Sequence, residues 1–257
     1  MLIKHLVRTL VFLLFSNLAI ANVDPQEILA ASDAVRNPEF PFGFINTITE
    51  YKNNQQTDVI SLAVYSNPDV RTGQYRNLIR YISPARDANK LMLFNGKDVW
   101  FYDPLGKASI RLSPQQRLLG QASSGDVATV NLSKDYHAVS ATEETILDGE
   151  QKSKRSYKLA IVANTSDATY DHIDLWVEVG NSKPVKARFY SDSGRLIKSA
   201  YYRNYEKHLG LDWPMQTVII DGLDPKWVTV MQYSKLLKRD VPESWLQRDY
   251  LPRFKPE

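Results

Sequence analysis

The chain has 257 residues, no cysteine, 32 basic against 29 acidic side chains, and 43% hydrophobic residues. That length and apolar content allow one large β domain or two small ones. The near-balanced charge, without a concentrated basic stripe, argues against a nucleic-acid partner, and the lack of cysteine leaves stability to the core and not to disulfides.

At the N-terminus Lys4 and Arg8 precede an apolar run, Thr9–Ala21, which ends in Ala19-Ile20-Ala21. A basic head, a short apolar middle and a small-x-small exit describe a secretory signal peptide over residues 1–21, cleaved after Ala21. The run is shorter than the ~20 residues a membrane-spanning helix needs. Export to the periplasm as a soluble protein is therefore expected. Residues 22–257 carry a net charge of about +1, have no cysteine that could hold a lipid anchor, and contain no Gly/Ser-rich or Pro-rich linker, so one domain is expected over that span.

Asp24 can cap a helix that starts at Pro25, with Glu27 three residues on and Ile28, Leu29, Ser32 and Val35 as its mostly apolar stripe. From Phe42 the period changes to two. Strand segments follow at 44–51, 59–65 and 75–82, and then at 91–94 and 99–102 about an Asn95-Gly96 hairpin turn, with a short strand at 108–112. Residues 113–132 read as an irregular or helical excursion. Strands resume at 136–146, 156–162, 173–179, 185–190, 196–205, 215–220 and 227–233, with Ser191–Gly194 as a turn. Val241-Pro242-Glu243-Ser244 opens a short terminal helix carrying Trp245 and Leu246. The reading gives a mainly β protein: an open, incomplete antiparallel barrel of about eleven strands, with short helices covering the mouth and an apolar interior that can hold a hydrophobic ligand.

Catalytic chemistry finds little support. His137, His172 and His208 are far apart and form no metal-binding spacing. There is no Gly-x-Ser-x-Gly elbow, P-loop or dinucleotide fingerprint. Asp171 and Asp174 are three apart in or beside a strand, and so point to opposite faces. The expectation is no enzyme, no catalytic residue, no metal and no cofactor. The strand aromatics Phe44, Trp100, Tyr102, Trp176, Phe189 and Trp227 are candidate lining for the interior, against the simpler reading of core packing. In the central excursion Leu118 and Leu119 lie side by side before Gly120. Adjacent leucines on one turn cannot both face the same neighbour, which makes them a candidate lid.

Several stretches carry a resemblance: Asn95-Gly96-Lys97-Asp98-Val99-Trp100-Phe101-Tyr102-Asp103-Pro104, Ile110 through Val127, Tyr170-Asp171-His172-Ile173-Asp174-Leu175-Trp176-Val177, Phe189 through Lys198, and Pro252-Arg253. In this order they resemble the bacterial outer-membrane lipoprotein-sorting proteins, the LolA/LolB-like superfamily, and one branch within it. The resemblance implies a half-closed barrel with helices across its mouth over an apolar cavity. It also implies transport of acylated cargo, a lipoprotein or lipid, between an inner-membrane transporter and an outer-membrane acceptor in a Gram-negative cell. Without an anchoring cysteine the chain looks like the soluble carrier of that system. The alternative is a periplasmic lipid- or lipoprotein-sensing module that acts on a membrane partner.

Overall fold

A computed structural model describes residues 23–113, 122, 124–166 and 168–255. The leader 1–21 and the lid candidates Leu118 and Leu119 lie outside the described residues. Helix α1 (Pro25–Ala34) starts where its signals place it. The Asp24 carboxylate accepts the Gln26 N–H at 2.8 Å, and Pro25 occupies the first turn. Its buried face is Ile28, Leu29, Ser32 and Asp33. The expected stripe placed Val35 there, which is half-buried, and left out Asp33.

Six strands then run in sequence: β1 (Phe42–Lys52), β2 (Gln55–Pro68), β3 (Tyr75–Ser83), β4 (Leu91–Asn95), β5 (Asp98–Asp103) and β6 (Ala108–Leu112). Two short helices, α2 (Ser124–Val127) and α3 (Leu132–Asp135), precede seven more strands. These are β7 (Tyr136–Leu147), β8 (Ser153–Ala163), β9 (His172–Glu178), β10 (Pro184–Tyr190), β11 (Leu196–His208), β12 (Leu211–Asp221) and β13 (Trp227–Lys238). Among the described residues the count is thirteen, not about eleven, because every segment marked by alternation is a separate strand. Even the five-residue β4 and β6 keep their own antiparallel partners. The β4–β5 turn is centred on Gly96-Lys97, one residue later than expected, with Asn95 paired to Asp98 and Gly96 at φ +60°.

The strands form one sheet in the order β6-β5-β4-β3-β2-β1-β13-β12-β11-β10-β9-β8-β7. The chain walks outward from β1 to one edge at β6. It walks back from the opposite edge at β7 to β13, which pairs with β1. Since β6 and β7 are not neighbours, the sheet is open, and the connection between them has to travel from one edge to the other. Its described part, residues 124–135, lies over one face, here called the inner face. Thr129 is fixed on β2 and β3, where its hydroxyl lies 2.8 Å from Ser66 Oγ, its N–H donates to Asn77 Oδ1 at 3.1 Å and its carbonyl accepts Asn77 Nδ2 at 3.0 Å. Asn131 bonds Gln74 and Gly73, and Asp33 of α1 accepts the Ser133 N–H at 2.8 Å. Gln26 of α1 closes the start of the β7 edge, accepting from Ala138 N–H at 2.8 Å and donating to Ser133 O at 3.0 Å.

The inner face holds the main core: Phe42, Phe44, Leu62, Val64, Ile79, Leu159, Ile161, Leu175, Ile219 and Met231 among others. A second apolar cluster covers the outer face of β2–β5. Two 3-10 helices, Glu243–Leu246 and Arg248–Arg253, bring Trp245, Leu246 and Leu251 onto Tyr65, Leu78, Leu91, Leu93 and Tyr102. Trp245 meets Tyr65 edge-on at 5.4 Å and Phe254 at 4.9 Å. The terminal helix expected near the mouth is thus a pair of 3-10 turns on the opposite side of the sheet. Among the described residues the helices on the inner side are α1, α2 and α3.

Candidate functional site

Between the inner face and the crossing segment lies a cavity of about 100 Å³. Its floor is Phe189 from β10, Ala200 and Tyr202 from β11, Ile219 from β12, and Met231 and Tyr233 from β13. Its roof is Asp126, Ala128, Val130 and Leu132, with Arg36 entering from just beyond α1. Strand alternation sets the floor: the pairs Phe189↔Lys198, Ala200↔Ile219 and Thr217↔Met231 put these side chains on one face. A smaller void of about 40 Å³ adjoins it beside Phe44, Trp213 and Thr129, and shares Arg36, Asp126 and Tyr233 with it. Outside the roof a groove of about 300 Å³ runs past Tyr75, Phe94, Val99, Ala168 and Lys134. Groove and cavity share Val130, Asp135 and Thr169, so little more than one layer of side chains divides them.

The cavity lining is mixed: apolar side chains stand beside Tyr136, Tyr170, Tyr202, Thr217 and Tyr233, and its charged members are Arg36, Asp126 and Asp135. Lys198, 3% exposed, forms an ion pair with Asp126. Burial pushes its ammonium below the ordinary lysine range, against the opposing pull of that carboxylate. The Tyr170 hydroxyl donates to Asp126 at 2.9 Å. Arg36 lies 3.7 Å from Asp33, whose carboxyl burial raises above the usual carboxylate range despite Arg36 and the Ser133 N–H. Burial also pushes the Tyr202 phenol up to about 12. Among the described residues no group of three or more His, Cys, Asp or Glu side chains could hold a metal ion.

The aromatic candidates divide between the two faces. Phe189 lines the cavity and Phe44 its small neighbour. Trp100 and Tyr102 sit on the outer face, opposite Leu93 and Leu91, under the C-terminal turns. Trp176 is also on the outer face, paired across to Lys186, with its indole N–H on Glu144 and Lys158 above its ring. Trp227 shares the parity of Met231 but stands at the end of β13, under Lys52. None of these four borders the cavity. The residues missed by sequence reasoning are Arg36, Asp126, Lys198 and Tyr202. Their one signal was the same-parity run Lys198, Ala200, Tyr202 in β11.

An open antiparallel sheet whose N-terminal helix and segment 126–132 roof an inner cavity defines an architecture, the open half-barrel. A LolA superfamily protein from Nitrosomonas europaea is 32% identical, with a TM-score of 0.78 over 89% of this chain and 99% of that one. A DUF1329 family protein from Desulfovibrio piger shares the fold at 18% identity and a TM-score of 0.74, covering 88% and 97% of the two chains. An outer membrane lipoprotein-sorting protein domain from Vibrio parahaemolyticus does so at 17% and 0.71, covering 89% and 98%. A sequence family described as "uncharacterized protein" matches residues 73–253. Among curated proteins none matches. The chain belongs to the LolA-like superfamily.

Proposed function

We propose that the protein is a soluble periplasmic carrier which holds the acyl part of a lipid or lipoprotein in the inner cavity and passes it toward the outer membrane. The observation that carries this reading is the cavity itself, floored by apolar strand residues and roofed by a segment that is not part of the sheet. Its volume of about 100 Å³ is well under the ~300–1000 Å³ of ordinary ligand pockets. A long chain therefore enters only when the roof shifts and joins the cavity to the groove beyond Val130. Burying a chain of ~16 carbons at ~0.8 kcal/mol per CH₂ yields roughly 12 kcal/mol gross. Re-covering the floor with Ala128, Val130 and Leu132 recovers part of that on release, as a carrier requires. Donor and acceptor are an inner-membrane transporter and an outer-membrane acceptor, and the signal peptide that directs export is cleaved after Ala21.

The test is titration of the delipidated protein with an environment-sensitive fluorescent fatty acid. The expected result is saturable uptake at one ligand per chain, reversed by long-chain acyl competitors and not by soluble sugars. A folded sample with no saturable uptake removes the carrier reading.

A further inference from the structure

We propose that the cavity is selective for an acyl chain ending in a carboxylate, and that this carboxylate takes the place of Asp126 on Lys198. The inference rests on the carrier reading and narrows its ligand to the fatty-acid class.

Lys198 stands on the inner face of β11, directly across from Phe189 of β10. Its ammonium lies 5.0 Å from the centre of the Tyr170 ring and 5.5 Å from that of Phe189. Asp126 is held through both oxygens: the Tyr170 hydroxyl donates to Oδ1 at 2.9 Å, and Lys198 holds Oδ2. A phenol and an ammonium gripping the two oxygens of one carboxylate, between two aromatic rings, make a receptor for the group and not for the aspartate that bears it. The receptor and its present occupant belong to different parts of the fold. Lys198 is on the sheet and Tyr170 is beside β9, whereas Asp126 is on α2, in the roof.

Asp126, Tyr170 and Phe189 all border the cavity, so a chain lying along Ala200, Ile219 and Met231 ends with its head group at this point. Drawing the roof back takes Asp126 from a buried ammonium, and separating a buried ion pair is costly. An incoming carboxylate restores the pair and keeps the Tyr170 hydrogen bond. An alcohol or an ester can accept the Tyr170 hydrogen bond but brings no charge to the ammonium. Entry of a fatty acid is thereby coupled to displacement of the roof, because the ligand favours the open state by the contacts it makes there.

The experiment is titration of the delipidated full chain with oleate, oleyl alcohol and methyl oleate, at a pH where oleate is ionised. It is run on the wild type, Lys198→Met, Asp126→Asn and the double variant, with circular dichroism as the check on folding. The wild type is expected to bind oleate about tenfold or more tightly than either neutral probe, the range of a charge-assisted hydrogen bond. Asp126→Asn should tighten oleate binding by removing the resident competitor, and Lys198→Met should bring the three probes level. The double variant, which removes both charges of the pair together, should fold if a single one does not, and should also bind all three equally. Equal binding by the wild type, or a preference for oleate that survives Lys198→Met or the double change, overturns this inference and leaves the carrier reading standing. No binding of any probe overturns both.

Discussion

Asp33 shows how burial sets the electrostatics of the roof. Its carboxyl is raised on folding by burial, which outweighs Arg36 and the Ser133 N–H. A carboxyl raised in this way contributes stability while protonated, below the ordinary aspartate value of about 3.9, and loses it as pH climbs through the raised folded value. The difference in unfolding free energy between wild type and Asp33→Asn, in which the shared titrations cancel, should therefore fall from about pH 4 toward neutrality. Urea unfolding of both at a series of pH values measures it. A flat or rising difference would mean that Arg36 and Ser133 outweigh burial. None of this was legible in the sequence. Asp33 follows Ser32 on a helix read for its apolar stripe, and a lone lysine such as Lys198 in a strand reads as solvent-facing. What buries Lys198 is a partner 72 residues away, delivered by the chain crossing.

At the scale of elements, alternation located every strand but could not say which face was the inner one. The reason is visible in Leu91-Met92-Leu93-Phe94. Met92 and Phe94 face the main core while Leu91 and Leu93 lie under the C-terminal turns, so both faces are apolar and the polarity signal vanishes. Large aromatics were then the natural guess for cavity lining, yet Trp100, Tyr102 and Trp176 face outward and aliphatic Ile173, Leu175 and Val177 face inward. A contrast between faces follows. Trp245→Ala should cost ~3–5 kcal/mol in chemical unfolding, as a buried tryptophan does, and leave acyl uptake by the folded protein unchanged. Reduced uptake would place the outer cluster in the site. The edge of β7 gives another test. Gln26→Ala removes the side chain that pairs with the backbone at Ala138 and Ser133. It should lower stability by ~1–2 kcal/mol and accelerate hydrogen exchange at the Ala138 amide, and unchanged exchange there would show that the edge is held by something else.

For the whole molecule, strand order determines where the cavity is. A meander that ends at one edge and restarts at the other requires a connection across the sheet, and in this chain residues 126–132 of that connection form the roof. A connection anchored by side chains such as Asn77 and Gln26, and not by a strand ladder, can lift without breaking the sheet. The central claim is that acyl chains occupy the space above Ala200, and it is tested most directly by filling that space. Ala200 is 2% exposed on the cavity floor, and Ala200→Phe should cost ~1–3 kcal/mol through overpacking while leaving the sheet intact. Fluorescent fatty-acid titration of Ala200→Phe beside the wild type should show uptake abolished or reduced at least tenfold, with the far-ultraviolet circular dichroism unchanged. Wild-type affinity in the folded variant would contradict the account, because the chain would then bind elsewhere.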